Sequence, residues 1–115
     1  MIRKASEMAT EVREQMRGGP GKVTFQHLFK KEEFGAKCRL CARLILPPGA
    51  GIGTHKHETE DELFFILKGT ALTDDGQSQA RLVAGDATLT GKGGAHSIKN
   101  IGNDDLEIMA IIMVY

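Results

Sequence analysis

At 115 residues, with 15 Lys and Arg balanced by 15 Asp and Glu, the chain has the size of one ordinary domain and a formal net charge of zero. Its basic residues are scattered, which excludes the electrostatic footprint of a nucleic-acid or anionic-membrane binder. The longest apolar run, Ile108 to Val114, falls far short of the roughly 20 residues a bilayer-spanning helix needs, and the charged N-terminus has no apolar leader, so a cytoplasmic protein is expected.

Met8, Val12 and Met16 recur at i, i+4 and i+8, with Ser6 as a candidate N-cap and Gly18 just past the end, so the spacing predicts a short amphipathic helix over 7–17. Gly18-Gly19-Pro20-Gly21 then breaks the chain. Val23, Phe25, His27 and Phe29 alternate along a leading strand, with His27 read as a packing residue on its apolar face. A strand of this kind needs cover, which in a short domain is often a partner subunit's sheet. Residues 1–34 are therefore expected to be a dimerisation arm of one helix and one strand, ahead of a barrel over 35–115.

From Lys37 to Leu46 the even positions, Cys38 to Leu46, are apolar, while Arg39 and Arg43 fall on the other face. The two cysteines, Cys38 and Cys41, lie at an odd offset that places them on opposite faces of a regular strand about 10 Å apart, so they are expected to be free. Pro47-Pro48-Gly49 ends this strand.

The stretch from Gly49 to Gly69 carries the chemistry. On a strand, His55 and His57 share one face with backbones roughly 6.6 Å apart, a workable span for two rings to converge on one ion. Glu58, Glu60, Asp61 and Glu62 follow, and Glu62 to Leu67 reads as a returning strand able to bring a carboxylate beside the pair. Imidazole nitrogens with a carboxylate oxygen form a ligand set for a divalent transition metal. Beyond it, Asp74-Asp75-Gly76 marks a hairpin, and short glycine-punctuated strands lead to a closing run, Leu106 to Val114, apolar enough to be covered on both faces. Many short strands and one helix predict an all-β sandwich or jelly-roll barrel.

Gly49, His55, His57, Glu62 and Gly69 stand at the spacing of the first cupin motif, and Gly85, Gly93, His96 and Asn100 at that of the second. The chain therefore resembles the small single-domain cupins of bacterial type, with Gly91 in the place usually held by proline. The resemblance implies a double-stranded β-helix in which His55, His57, Glu62 and His96 bind one divalent metal ion: Mn, Fe, Co, Ni, Cu or Zn. Only Glu62 has the motif's spacing to Gly69, so Glu58, Glu60 and Asp61 are read as solvated loop charges. Cupins likened to oxalate decarboxylase carry an arginine in the spacer before the histidine pair. Here the spacer, Ala50 to Thr54, has none, which weighs against oxalate.

Counting from Glu62, Phe64 and Ile66 are expected to line the pocket, with either Met109 and Ile111 or Ile108 and Ala110 of the last strand. Arg39 and Arg43 would reach the interior only if the barrel were inverted. The function expected is a metal-dependent enzyme acting on a small carboxylate or keto/enol compound as decarboxylase, dioxygenase or isomerase. The alternative is a non-catalytic small-ligand binder or sensor using the same ion. A homodimer is expected in either case.

Overall fold

The computed structural model describes residues 1–115. Alternating apolar residues and frequent turn signals produce ten strands: β1 (Ala9–Glu14), β2 (Lys22–His27), β3 (Cys38–Leu46), β4 (Gly51–His57), β5 (Glu60–Lys68), β6 (Thr70–Asp74), β7 (Gln79–Val83), β8 (Ala87–Thr90), β9 (Gly94–Asn100) and β10 (Leu106–Val114). Six form one sheet in the order β1-β2-β3-β10-β5-β8, and four form the other in the order β4-β9-β6-β7. This is the all-β jelly-roll expected. Its core lies between the sheets, where Val23, Phe25, Leu46, Ile66, Leu106 and Ile108 have no solvent exposure.

The predicted helix over 7–17 is absent. Residues 9–14 form β1, paired antiparallel with β2 so that Glu11 lies opposite Phe25 and Arg13 opposite Val23, and single 3-10 turns flank it at Ala5–Glu7 and Met16–Gly18. A spacing of four is also a multiple of the strand period of two, so the stripe of Met8, Val12 and Met16 fits either structure. The inward face of β1 is polar: Arg13 places its guanidinium 4.2 Å from the Phe25 ring centroid, and Glu11 meets His27 at 2.6 Å. Val23 and Phe25 are thus fully buried within one chain, without the partner sheet expected to cover them.

β3 departs from regular alternation. Leu40 pairs with Ile112 but Cys38 pairs with Met113, so Arg39 is the extra residue of a β-bulge. Cys41 lies opposite Ile111, two residues from Met113, which puts both cysteines on the outer face rather than on opposite faces. Both thiols are free as expected, and burial together with the nearby Cys38 pushes the Cys41 thiol up. The closing strand is not covered on both faces either: Leu106, Ile108, Ala110 and Ile112 are buried, whereas Met113 is 41% exposed, and Phe65, opposite Met109 on β5, is exposed as well.

Candidate metal centre

Strand pairing assembles the donors. His55 on β4 lies directly opposite His96 on β9, His57 follows on the same face of β4, and Glu62 projects from β5 in the facing sheet. His57 Nε2 lies 3.0 Å from His96 Nε2, and His96 Nε2 lies 3.2 Å from His55 Nε2. Glu62 Oε1 is 3.0 Å from His57 Nε2, 3.0 Å from His96 Nε2 and 3.8 Å from His55 Nε2. Donors bound at ~2.1 Å and at right angles to one another lie ~3.0 Å apart, so most of these spacings suit neighbouring positions around a single divalent ion. All four donor atoms fall within 4.8 Å of one another.

Each imidazole is aimed by a partner on its other nitrogen. His55 Nδ1 donates to the Gly53 carbonyl at 2.7 Å, His57 Nδ1 meets Glu60 Oε2 at 2.7 Å, and His96 Nδ1 lies 3.1 Å from Thr90 Oγ1. Holding the proton on Nδ1 leaves the Nε2 lone pair for an ion and fixes the ring plane. Glu60 is itself held by Arg39, whose Nε and Nη2 donate to its two oxygens at 2.8 and 2.6 Å. Glu60 is therefore no solvated loop charge. β5 begins at residue 60, and the strand period of two then puts Glu60 on the same face as Glu62.

The cluster is buried: His57, Glu62 and His96 are 3%, 4% and 2% exposed. Burial pushes the Glu62 carboxyl up, but the imidazoles of His55, His96 and His57 gathered around it outweigh that and lower its pKa to about 2. Glu62 therefore stays ionised, which is the state a metal ligand requires. The donor set fits a divalent transition ion chemically as well as by spacing.

Above the donors opens a cavity of about 370 Å³. Phe64 lines it, stacked on His96 with ring centroids 5.0 Å apart. Ile66 points the same way but lies in the core. Met109 and Ile111 do not line it, since they occupy the outer face of β10 and Ile112 stands in the wall instead. Sequence reasoning missed the cationic wall: Arg13 and Arg17 from the N-terminal arm, Arg39 turned inward beside Leu40 by the bulge, and His27. The barrel is not inverted; one arginine of β3 enters because alternation breaks at that residue. Arg43 stays on the outer face, bonded to Gln26 and Glu107.

With two facing antiparallel sheets and a histidine and carboxylate cluster between them, the chain belongs to the cupin family, and the Cupin domain matches residues 42–114. A curated relative from Thermotoga maritima, named oxalate-binding protein, is 44% identical over 114 residues, which is 99% of this chain and 94% of that protein. The crystal structure of a predicted oxalate decarboxylase from Thermotoga maritima has a TM-score of 0.94 at 43% identity, covering 100% of both chains. The Cnp3 cupin domain of Schizosaccharomyces pombe shares the fold at 20% identity, with a TM-score of 0.73 over 91% of this chain and 69% of its own.

Proposed function

We propose that the chain is a divalent-metal-binding cupin that holds a small carboxylate of the oxalate type at His55, His57, Glu62 and His96. The observation that carries this reading is the charge of the cavity wall. Arg13, Arg17 and Arg39 line it, and its one acid, Glu62, is already committed to the donor set. An ion held there would supply Lewis acidity to a carboxylate or enol oxygen, and three imidazoles and one carboxylate leave two positions of a six-coordinate ion for the ligand. The arginine-free spacer weighed against oxalate, but the wall gains its arginines elsewhere, from β1, the turn after it and β3. The Thermotoga maritima proteins, one named for binding oxalate and the other a predicted oxalate decarboxylase, support the same ligand class.

Binding without turnover is the first reading, because no uncommitted acid lines the cavity. Turnover of the same ligand by decarboxylation, oxygenation or isomerisation is the second. It is favoured by His27, which lines the cavity and is bonded to Glu11 at 2.6 Å, the arrangement of a proton donor or acceptor. Cytoplasmic placement and a homodimer are further proposals. For the dimer the support is β1, an edge strand with every residue exposed and one ladder edge open.

Tag-free protein analysed for metal and titrated with oxalate by calorimetry tests the reading. One equivalent of transition metal per chain and saturable binding that chelation abolishes are expected. Release of carbon dioxide or formate would move the assignment from binder to enzyme. Metal-loaded protein that binds no oxalate refutes the carboxylate reading.

A further inference from the structure

The spacer before the histidine pair contains no arginine, but it contains Gly51 and Gly53. A Cβ on Gly53 would overlap the Arg17 carbonyl oxygen and lie 3.1 Å from the Gly19 nitrogen, while a Cβ on Gly19 would overlap the Gly51 carbonyl. The N-terminal arm therefore rests backbone to backbone on β4, and only glycine admits that approach. One hydrogen bond fastens it there, from Gly51 N–H to Pro20 O at 2.9 Å, and another, from Gln15 N–H to Gly21 O at 3.0 Å, closes the arm's own turn. The turn that results holds Gln15, Arg17 and Gly18 at φ of 50°, 54° and 79°. Left-handed backbone is uncommon for arginine and is found where the surroundings enforce it, often at ligand sites.

The cations of the cavity differ in their commitments. Arg39 is bonded through Nε and Nη2 to Glu60, Arg13 is paired with Glu11 and stacked on Phe25, and His27 is bonded to Glu11. Arg17 lines the same cavity and has neither an acidic partner nor a side-chain hydrogen bond. A guanidinium offers five donors in a planar fork that matches a carboxylate.

We propose that Arg17, seated on β4 through Gly53, is the specificity-determining residue of the cavity, binding the carboxylate of a metal-held dianion that faces away from the donor cluster. The missing spacer arginine is thereby replaced in space: the spacer supplies the glycine floor and the arm supplies the cation. Gly53 is a positioning residue with two duties, since its carbonyl also aims His55. The selectivity that follows favours dicarboxylates over monocarboxylates. This inference rests on the carboxylate reading above.

The test is calorimetric titration of manganese-loaded wild type, Arg17→Ala, Arg17→Lys, Arg17→Gly and Gly53→Ala with oxalate and, separately, formate, beside metal analysis and thermal melts of the ligand-free proteins. Loss of the charge-assisted bonds should weaken oxalate about 10- to 100-fold in Arg17→Ala while formate changes by less than about two-fold and metal stays stoichiometric. Arg17→Lys should recover part of the oxalate affinity. Arg17→Gly should melt at or above the wild-type temperature, because glycine accepts the left-handed backbone, and still lose oxalate, a divergence that a merely structural role would not produce. Gly53→Ala should displace the turn and weaken oxalate as well. Wild-type oxalate affinity in Arg17→Ala and Arg17→Gly overturns the assignment, as does parallel loss of oxalate and formate. Wild type that binds neither acid removes the carboxylate reading and this inference with it.

Discussion

Replacing Glu60 by glutamine keeps the shape of the side chain and removes the charge that links Arg39 to His57. In the wild-type chain the Glu60 carboxyl lies below its usual range, first because Arg39 donates to it and then through His57, with burial opposing. Loss of an outer partner of a metal-binding histidine typically weakens metal affinity about 10- to 100-fold, which is about 1.4 to 2.7 kcal/mol. Arg39 is 43% exposed, so the ion pair itself contributes at most about 1 kcal/mol to the metal-free fold. With metal in excess of Kd, stability follows the logarithm of its concentration over Kd, and for a chain of 115 residues the affinity loss lowers the Tm of the loaded protein by roughly 6–11 °C. Metal-free protein should move by only a few degrees. Chelator-competition titrations and paired melts measure both quantities, with the exposed Glu58→Gln as control. If Glu60→Gln binds metal within two-fold of wild type, or if loaded and metal-free proteins lose the same stability, Glu60 does not orient His57.

His96→Ala removes a donor from the centre of the cluster and should leave the purified protein with far less than one metal per chain by elemental analysis, whereas Glu58→Gln should retain its metal. Gly91→Pro restores the residue usual in the second cupin motif, yet it should lower Tm. A Cβ at that position would overlap the Asp61 carboxylate and lie 3.0 Å from the Glu60 carbonyl, and such overpacking typically costs about 1–3 kcal/mol against the smaller entropic gain from proline. The Glu11 carboxyl is held below its usual range first by Arg13 and then by His27, with burial opposing, so its stabilisation is complete above its ordinary value of 4.5 and is lost as pH falls through the lowered folded value. Glu11→Gln should therefore be less stable than wild type at neutral pH, by under about 1 kcal/mol for so exposed a pair, and the difference should vanish in acid by thermal melts.

The half of the site formed by β4 and β5 was legible because its information is local. Two histidines one residue apart on a strand must share a face, and two motifs at fixed spacing brought in His96 and chose Glu62 from four neighbouring acids. What failed was parity. A strand starting at Glu62 leaves Glu60 in a turn, while one starting two residues earlier aligns Glu60 with Glu62. Alternation along β3 was sound through Ala42, Leu44 and Leu46, all buried, but one extra residue at Arg39 reversed the face of everything before it. The face of β10 was left open because Met109 and Ile111 are as apolar as Ile108 and Ala110, and only pairing with β3 and β5 decides which set meets the core.

The N-terminal arm was the least legible segment, and the structure gives it the greatest share of the cavity's charge. Its apolar stripe has a spacing common to helix and strand, and its inward face is formed by Glu11 and Arg13, so hydrophobic pattern alone favoured the wrong element. The contacts that decide its place lie far apart in sequence: Arg17 against Gly53, Gly19 against Gly51, and Glu11 with His27. None of these is a hydrophobic contact, and each depends on a backbone approach or a charge that periodicity cannot register. Gly51 and Gly53 were visible in the spacer, and a strand that carries two glycines beside a histidine pair does announce that another backbone can approach it closely. The structure identifies that partner as the arm, and on the proposal made above for Arg17 the residue that discriminates ligands lies roughly forty positions upstream of the histidine pair rather than in the spacer.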